Sequence, residues 1–457
     1  MGKSTKHKRY NIVDLHKNCP KKFGRFIMAL KNLINSEDWG RICGIHGNTF
    51  NPNDHCVKCP TDPQTVTKIG NTGEPFYCKH SVYSFIGWHA PYIYQYELLL
   101  NKYNKSKCKK YITLPWLDLN DYSSDYSFIN DPEITITYDC KVITTENPLS
   151  TAYYYVDGKR TRITRNGYLT PTNEKERIQL NTVKNQLNDA MHAKNYEEFS
   201  SANNLDVPYT PLETPHNSLH NIIGGPEGNM TAVNISAFDP LFWMHHCNMD
   251  RYYYSWYSNM TDNFTKPLYP NYISESSLNK PCAPFFKENV YSTNWNDYSY
   301  GWKNGTGSYA KLSDVIDISK FPYTYDIIKP LLKSQLNAYI SLKDISVPPE
   351  SVEINAYIYL KGEKLDRNKD FAGSVFWFGI NQQKIHCQRC KTTLTNLRIN
   401  INDFVAKNNI NESNIGDYEI LLEGRGLLVK HPENGSYKKY LQKEILKKGK
   451  ISVVVPK

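Results

Sequence analysis

The chain has 457 residues, a length that allows two domains and a large buried core. Hydrophobic residues make up 40% and charged residues 22%, a balance that is typical of globular proteins and excludes a disordered chain. The formal net charge is +10, but the basic residues are dispersed. Neither zinc-finger spacing nor a basic run interleaved with aromatic residues is present, so we expect no nucleic-acid partner.

No apolar run of about 20 residues predicts a transmembrane helix, and no apolar stretch like that of a signal peptide follows the basic N-terminal residues. Eleven cysteines, an odd number scattered along the chain, fit a reducing compartment better than a disulfide framework. We therefore expect a cytoplasmic protein with no membrane partner. The oligomeric state has no signature in the sequence.

Three histidines with distinctive neighbours lie within the first 100 residues. His46 stands in Gly-Ile-His-Gly, His80 in Cys-Lys-His, and His89 in Phe-Ile-Gly-Trp-His-Ala-Pro-Tyr, which opens an apolar helix. A single buried histidine is more often a satisfied core residue than a metal ligand. These three become candidate ligands only if further histidines join them.

A second group of histidines lies near the middle of the chain. His216 and His220 are four residues apart, and such a pair on a helix points the same way and can bind one metal ion. Residues 238–251 then read FDPLFWMHHCNMDR. This run predicts a helix, because Asp239 can cap it and Pro240 fits its first turn.

The histidine doublet at positions 245 and 246 can supply a third ligand for the same metal ion. Adjacent side chains diverge by about 100° around a helix, so only one of the two can face that ion. A set of three imidazole nitrogens suits copper or zinc.

Together these motifs resemble the two copper motifs of the type 3 copper proteins, which comprise tyrosinases, catechol oxidases and haemocyanins. The fungal tyrosinases fit best. The resemblance implies two copper ions, O2 as co-substrate, and the second histidine of the doublet as a ligand. Ala90 replaces the arginine of the family motif, a position that is not a ligand. The six implied ligands are His46, His80, His89, His216, His220 and His246.

The same resemblance implies further site residues. In fungal tyrosinases a Cys-x-His carries a thioether bond, which implies that Cys78 is joined to His80 and fixes the orientation of its ring. The family holds a water molecule on a glutamate and an asparagine, here Glu213 and Asn217. The alternative role for these two is helix capping or hydrogen bonding to the ligand histidines. Val233 is expected to line the substrate entrance.

Beyond Tyr325 the pattern changes to an apolar–polar alternation of period two, which predicts short strands and a β-sandwich. We expect a mainly α catalytic domain at residues 1–325, a four-helix bundle holding a dicopper site. An all-β sandwich at residues 326–457 would follow, and it resembles the lid of latent fungal tyrosinases. The alternating segments are residues 352–360, 373–378, 397–401, 418–422 and 451–455.

In the family an aromatic residue of the lid plugs the copper pocket until the lid is cleaved or displaced. Phe378 is the predicted plug and Phe376 is the second candidate. Both could instead pack in the core of the sandwich, because alternation places them on one face of a strand.

Cys387 and Cys390 follow the plug and could load copper, since soft thiolates select Cu(I). The rival interpretation is a structural zinc site that this pair forms with Cys56 and Cys59.

The resemblance implies an oxidoreductase that hydroxylates monophenols at the ortho position and oxidises o-diphenols to o-quinones. Tyrosine, L-DOPA and catechols are the expected substrates, and the enzyme would be a latent proenzyme of melanin biosynthesis. The presence of Glu213 and Asn217 favours monophenolase activity. Catechol oxidase and o-aminophenol oxidase are the close alternatives, and a haemocyanin-like oxygen-binding protein or a non-catalytic relative are the distant ones.

Overall fold

The structure is a computed structural model of the chain. It describes residues 6–47, 78–119, 124–156, 159–201, 209–269, 271–288, 290–292, 308–328, 338–348, 350–379, 393–430, 435–447 and 449–455.

The longer helices lie in the N-terminal and middle parts of the chain, and the longer strands lie in the C-terminal part. The helices are α1 (Ile12–Asn18), α2 (Pro20–Ile34), α3 (Glu37–Gly44), α4 (Phe85–Lys102), α5 (Ser127–Asn130), α6 (Pro148–Thr151), α7 (Glu174–Ala190), α8 (Tyr196–Ser200), α9 (Glu213–Gly224), α10 (Pro240–Met260), α11 (Glu275–Leu278), α12 (Leu312–Val315), α13 (Asn402–Lys407) and α14 (Gln442–Ile445). The strands are β1 (His7–Arg9), β2 (Glu133–Tyr138), β3 (Lys141–Glu146), β4 (Tyr153–Val156), β5 (Lys159–Arg162), β6 (Pro281–Phe286), β7 (Tyr309–Lys311), β8 (Tyr323–Tyr325), β9 (Tyr339–Val347), β10 (Val352–Leu360), β11 (Phe371–Trp377), β12 (Thr393–Asn400), β13 (Tyr418–Lys430), β14 (Tyr437–Leu441) and β15 (Lys450–Val454). Among the described residues, no helix combines the length and the apolar character that crossing a bilayer requires.

The chain divides into two compact units, each built from two separate segments. The first unit comprises Met1–Ile163 and Asn234–Pro330, and the second comprises Thr164–Val233 and Leu331–Lys457.

Helices α4 and α10 pack against each other in the first unit. In each of them every residue except the last two is buried, which is typical of helices that lie inside a core. The predicted start of α10 is confirmed. The Asp239 side chain accepts a hydrogen bond from the Leu241 backbone N–H at 2.9 Å, and Pro240 occupies the first turn.

The two ends of the first unit meet in a short parallel ladder. Strand β1 pairs with β8, from His7 opposite Tyr323 to Arg9 opposite Tyr325. Strand β1 is therefore hydrogen-bonded to a Tyr-Thr-Tyr segment near the C-terminal end of this unit.

Two antiparallel sheets share one hydrophobic core in the second unit. Their strand orders are β11-β10-β13-β14 and β12-β9-β15. Ile340 of β9, Ile354 of β10 and Ile399 of β12 are all buried in this core. Apolar residues of both sheets thus face a shared core, whereas Leu360 and Val454 of the predicted alternating segments are exposed.

Helices α7 and α9 pack on β11 in the same unit. The Gln179 amide of α7 donates hydrogen bonds to Glu353 at 2.8 Å and to Ser374 at 3.1 Å. Helix α9 ends at Gly225, whose φ of +63° lies in the left-handed region that glycine tolerates best.

The coarse fold prediction is confirmed, since a helical part is followed by a β-rich part. The contacts group Thr164–Val233 with the C-terminal strands. The predicted domains, residues 1–325 and 326–457, separated these two parts of the chain. The reason is that the partners of this segment lie more than 90 residues further along the chain, beyond the reach of local patterns. The domain boundary itself stays a prediction, because a compact unit is not an independently folding domain.

Candidate metal centre

His46 and His89 are brought together inside the first unit. His46 lies two residues after α3, His89 lies in the first turns of α4, and both rings are buried. The Nδ1 of His89 lies 2.7 Å from the Phe85 carbonyl oxygen. Because a carbonyl only accepts, this Nδ1 carries the proton and Nε2 keeps the lone pair that a metal ion needs.

His246 of α10 joins these two residues. Its ring stacks on that of His89, with centroids 4.4 Å apart and planes 17° apart. The potential ligand atoms of His46, His89 and His246 all lie within 4.8 Å of one another. The structure therefore gathers in the first unit three histidines that are separated by up to 200 positions.

His80 and Cys78 lie beside the same group. The potential ligand atoms of His46, Cys78 and His80 lie within 4.8 Å of one another, and the Cys78 sulfur is 3.4 Å from Nδ1 of His80. The thiol is therefore next to the ring to which the thioether prediction joins it.

The pKa values of two of these imidazoles, those of His80 and His89, are lowered. Burial lowers the pKa of His80 to about 3. Burial also lowers the pKa of His89, and the neighbouring His80 and His46 lower it further. His80 and His89 are therefore neutral at pH 7, as metal ligation requires.

In the second unit, α9 presents His216 and His220 with ring centroids 4.5 Å apart. Nδ1 of His220 lies 2.9 Å from the Met230 carbonyl oxygen, so it carries the proton and leaves Nε2 as the ligand atom. Nδ1 of His216 lies 2.9 Å from the side-chain oxygen of Asn217. Backbone and amide oxygens thus orient both rings.

The other predicted residues of α9 and its loop have defined partners. Glu213 is buried in the first turn of α9, where its carboxylate accepts a hydrogen bond from the Ser201 hydroxyl at 2.8 Å. Val233 is buried, and its backbone N–H donates to the Gly379 carbonyl oxygen at 3.1 Å.

Phe378 lies against His220 in the second unit. The two rings stack with centroids 4.2 Å and planes 23° apart, and His216 is 6.1 Å away. Phe376, the second candidate for the plug, lies within β11 opposite Glu353. Cys387 and Cys390, like Cys56 and Cys59, lie outside the described residues.

Four groups were assigned no role in the sequence analysis, namely the rings of His245 and Phe242 and the carbonyls of Phe85 and Met230. His245 is buried with its ring centroid 5.2 Å from that of His246, and the doublet itself was the available signal. Phe242 contacts His46 and His246, at 4.6 and 4.2 Å between centroids. The carbonyls of Phe85 and Met230 could not be found from sequence, because every residue has one.

Comparisons with known proteins match the part of the chain that contains these histidines. Residues 36–259, which contain all six predicted ligands, match the family model of the common central domain of tyrosinase. The chain is similar to a tyrosinase of Podospora anserina, with 26% identity over 62% of this chain and 58% of that protein. The chain spans about half the length of the curated relatives it matches, from 46% to 58% for three of them.

The fold is similar to that of two solved structures. One is a recombinant mushroom tyrosinase, with a TM-score of 0.67 and 17% identity over 100% of this chain and 97% of that chain. The other is a functional unit of octopus haemocyanin, with a TM-score of 0.65 and 16% identity over 99% and 100%. Identities this low show a shared fold alone.

Proposed function

We propose that this chain, which belongs to the tyrosinase family and is similar to its fungal-type members, is a copper-dependent, tyrosinase-like oxidoreductase. It hydroxylates monophenols at the ortho position and oxidises o-diphenols to o-quinones with O2. The substrates are small phenols such as tyrosine, L-DOPA and catechols.

The donor set fits copper. Buried imidazoles whose Nδ1–H groups are held by carbonyl oxygens, as in His89 and His220, offer Nε2 to a metal ion that prefers nitrogen ligands. When bound, copper supplies the one-electron redox chemistry by which O2 is used. We assign His46, His80 and His89 to the first ion, and the second ion takes His216, His220 and His246.

The position of His246 carries this proposal. The resemblance assigns it to the second copper ion, yet its ligand atom lies within 4.8 Å of those of His46 and His89. Two metal ions that act on one O2 molecule must be neighbours. A ligand of one ion packed among the ligands of the other meets that requirement.

Glu213 and Asn217 are proposed to hold the water molecule that takes the proton of the phenol. A free phenol has a pKa near about 10, so deprotonation at pH 7 needs an acceptor. The carboxylate of Glu213 is buried and fixed by Ser201, and the oxygen of Asn217 is engaged by His216, which leaves its NH2 group to donate.

The β-rich part is proposed to be a sandwich lid that keeps the enzyme latent, and the helical part is proposed to be a four-helix bundle that holds the coppers. The stacking of Phe378 on His220 supports this role, because a ring over a ligand occupies the space that a phenol would need. A cytoplasmic location is proposed as well. It is supported by the described cysteines, none of which forms a disulfide.

The test is to load the full chain with copper and to cleave one portion of the sample after about residue 325. Both portions are then assayed with tyrosine and with L-DOPA as substrates. We expect two copper ions per chain and turnover of both substrates by the cut form. His246→Ala should lose one ion, whereas His192→Ala, a histidine of the second unit outside the ligand set, should keep both. One copper ion or zinc in the unsubstituted protein would overturn the proposal. Turnover of L-DOPA alone would indicate catechol oxidase, and oxygen binding without turnover an oxygen carrier.

A further inference from the structure

Ser351 is a buried residue to which neither the assignment of the ligands nor that of the plug gives a role. It directly precedes β10 and is fully buried. Val352 pairs with Trp377, so Ser351 stands one position beyond the last pair of this ladder, level with Phe378.

The Ser351 hydroxyl bridges two segments of backbone. It donates to the Thr231 carbonyl oxygen at 2.6 Å and accepts from the Gly379 N–H at 2.8 Å. A hydroxyl has one proton to donate, and here that proton and one lone pair are both used in a buried place. The hydroxyl thus acts as a donor and an acceptor at the same time.

The two bridged segments are the ones that meet at His220. Met230, next to Thr231, supplies the carbonyl that fixes the tautomer of the His220 ring. Phe378, next to Gly379, supplies the ring that stacks on the same imidazole.

A second bond lies beside the hydroxyl bridge. The Val233 N–H donates to the Gly379 carbonyl oxygen at 3.1 Å. Together, the two contacts clamp both polar groups of the Gly379 backbone, and with them the end of β11, to residues 231–233. The clamp involves only atoms of the second unit.

We propose that Ser351 is the positioning residue that holds Phe378 on His220, and that it acts as the latch of the latent form. Releasing Phe378 from the ring therefore requires breaking the Ser351 bridge. The latch rests on the proposed function in one respect, since its effect on activity presupposes an oxidase that Phe378 inhibits. Its effect on structure does not.

The test is hydrogen exchange by mass spectrometry on the metal-free full chain. Ser351→Ala should speed exchange in the peptide that covers Gly379 on the order of tenfold, because the buried Gly379 N–H loses its acceptor. Peptides within β9 should stay unchanged. Ser351→Thr, which keeps the hydroxyl, should restore slow exchange. The control is Ser341→Ala, which removes a buried hydroxyl from β9 and should leave the Gly379 peptide protected.

Unchanged exchange at Gly379 in Ser351→Ala, or a rise spread evenly over the unit, would overturn the latch. If Ser351→Ala fails to fold, Gly379→Pro removes the donated N–H instead, with Gly379→Ala as its control. Activity is then read separately on copper-loaded protein, where Ser351→Ala should raise L-DOPA turnover towards that of Phe378→Ala. If Ser351→Ala exchanges hydrogen faster at Gly379 but neither Ser351→Ala nor Phe378→Ala oxidises L-DOPA, the proposed oxidase activity is contradicted and the structural role of Ser351 is supported.

Discussion

Asp250, one turn after His246 in α10, belongs to a buried ionic cluster. Arg9 donates to Glu97 at 2.8 Å and lies 3.4 Å from the Asp250 carboxylate, which also accepts the Tyr325 hydroxyl at 2.5 Å. The cluster joins β1, α4, α10 and β8 at one point. Removing one member of such a group leaves an uncompensated buried charge, which typically costs about 3–5 kcal/mol.

This cluster makes the stability of the protein depend on pH. Burial raises the pKa of Asp250 to about 6, against the opposing effects of Arg9 and the Tyr325 hydroxyl. The unfolded chain releases this proton near about pH 4. The stability that the protonated Asp250 adds to the folded protein is therefore complete below that pH and is lost as the pH rises through about 6.

The stability that Asp250 adds relative to Asp250→Asn should therefore fall by up to about 3 kcal/mol between pH 4 and pH 7. Urea unfolding of both proteins across this range measures it. A difference that stays constant with pH would contradict the raised pKa.

Asn217 can act on the phenol, on His216, or on both. Asn217→Gly should lower monophenol turnover about tenfold or more and diphenol turnover less, because a catechol gives up its proton more readily. Steady-state kinetics on tyrosine and L-DOPA measure the two effects. Asn221→Gly, a buried position one turn further along α9, controls for glycine in a helix. Equal losses on the two substrates would assign Asn217 to holding His216 through their 2.9 Å contact.

Cys78 should become bonded to His80 once the protein holds copper and meets O2. Their 3.4 Å separation places the sulfur next to the ring. We expect the peptide that contains both residues to lose two hydrogen atoms, with O2 as the oxidant, and to resist alkylation at Cys78. Peptide mass spectrometry under denaturing conditions measures both, with Cys43 as an alkylatable internal control. Alkylation of Cys78 in active enzyme would refute the bond.

At the scale of elements, β11 and α9 carry the proposed plug and the histidine on which it stacks. Phe378 directly follows β11 and reaches His220 of α9. A buried aromatic ring hides about 150–250 Å² of surface, so its removal opens space without removing a ligand.

Phe378→Ala should therefore raise the activity of the full chain several-fold, towards that of the form cut after about residue 325. Phe376→Ala is the matched control, since that ring lies within the ladder of β10 and β11. Assays of copper-loaded protein with L-DOPA compare the three forms. Activation by Phe376→Ala alone would transfer the plug to that residue.

Some elements could be predicted from sequence and others could not, for identifiable reasons. The alternating segment at residues 352–360 coincides with β10. Strand β9 was missed because Lys343 and Asp344 interrupt its alternation, and Asp344 has a φ of +53°. The hairpin of β2 and β3 was missed because its turn uses Asp139 and Cys140 at positive φ, where a glycine would have been the signal.

At the scale of the whole molecule, local features were predicted better than the architecture. The spacing of His216 and His220 and the cap of α10 are local features, and both are present as predicted. The grouping of Thr164–Val233 with the C-terminal strands depends on packing between distant segments, which no local period records.

The division of each unit into two segments bears on how the protein is made. On the ribosome, the segments of the first unit are complete once Pro330 has been added, and β8 can then pair with β1. Thr164–Val233 is made earlier, but it must wait for strands β9 to β15, which are translated after it. Because units of structure tend to fold as their last segment emerges, His216 and His220 stay on an unfinished scaffold until β15 has been made. We therefore expect a chain stalled before β15 to accept no full complement of metal.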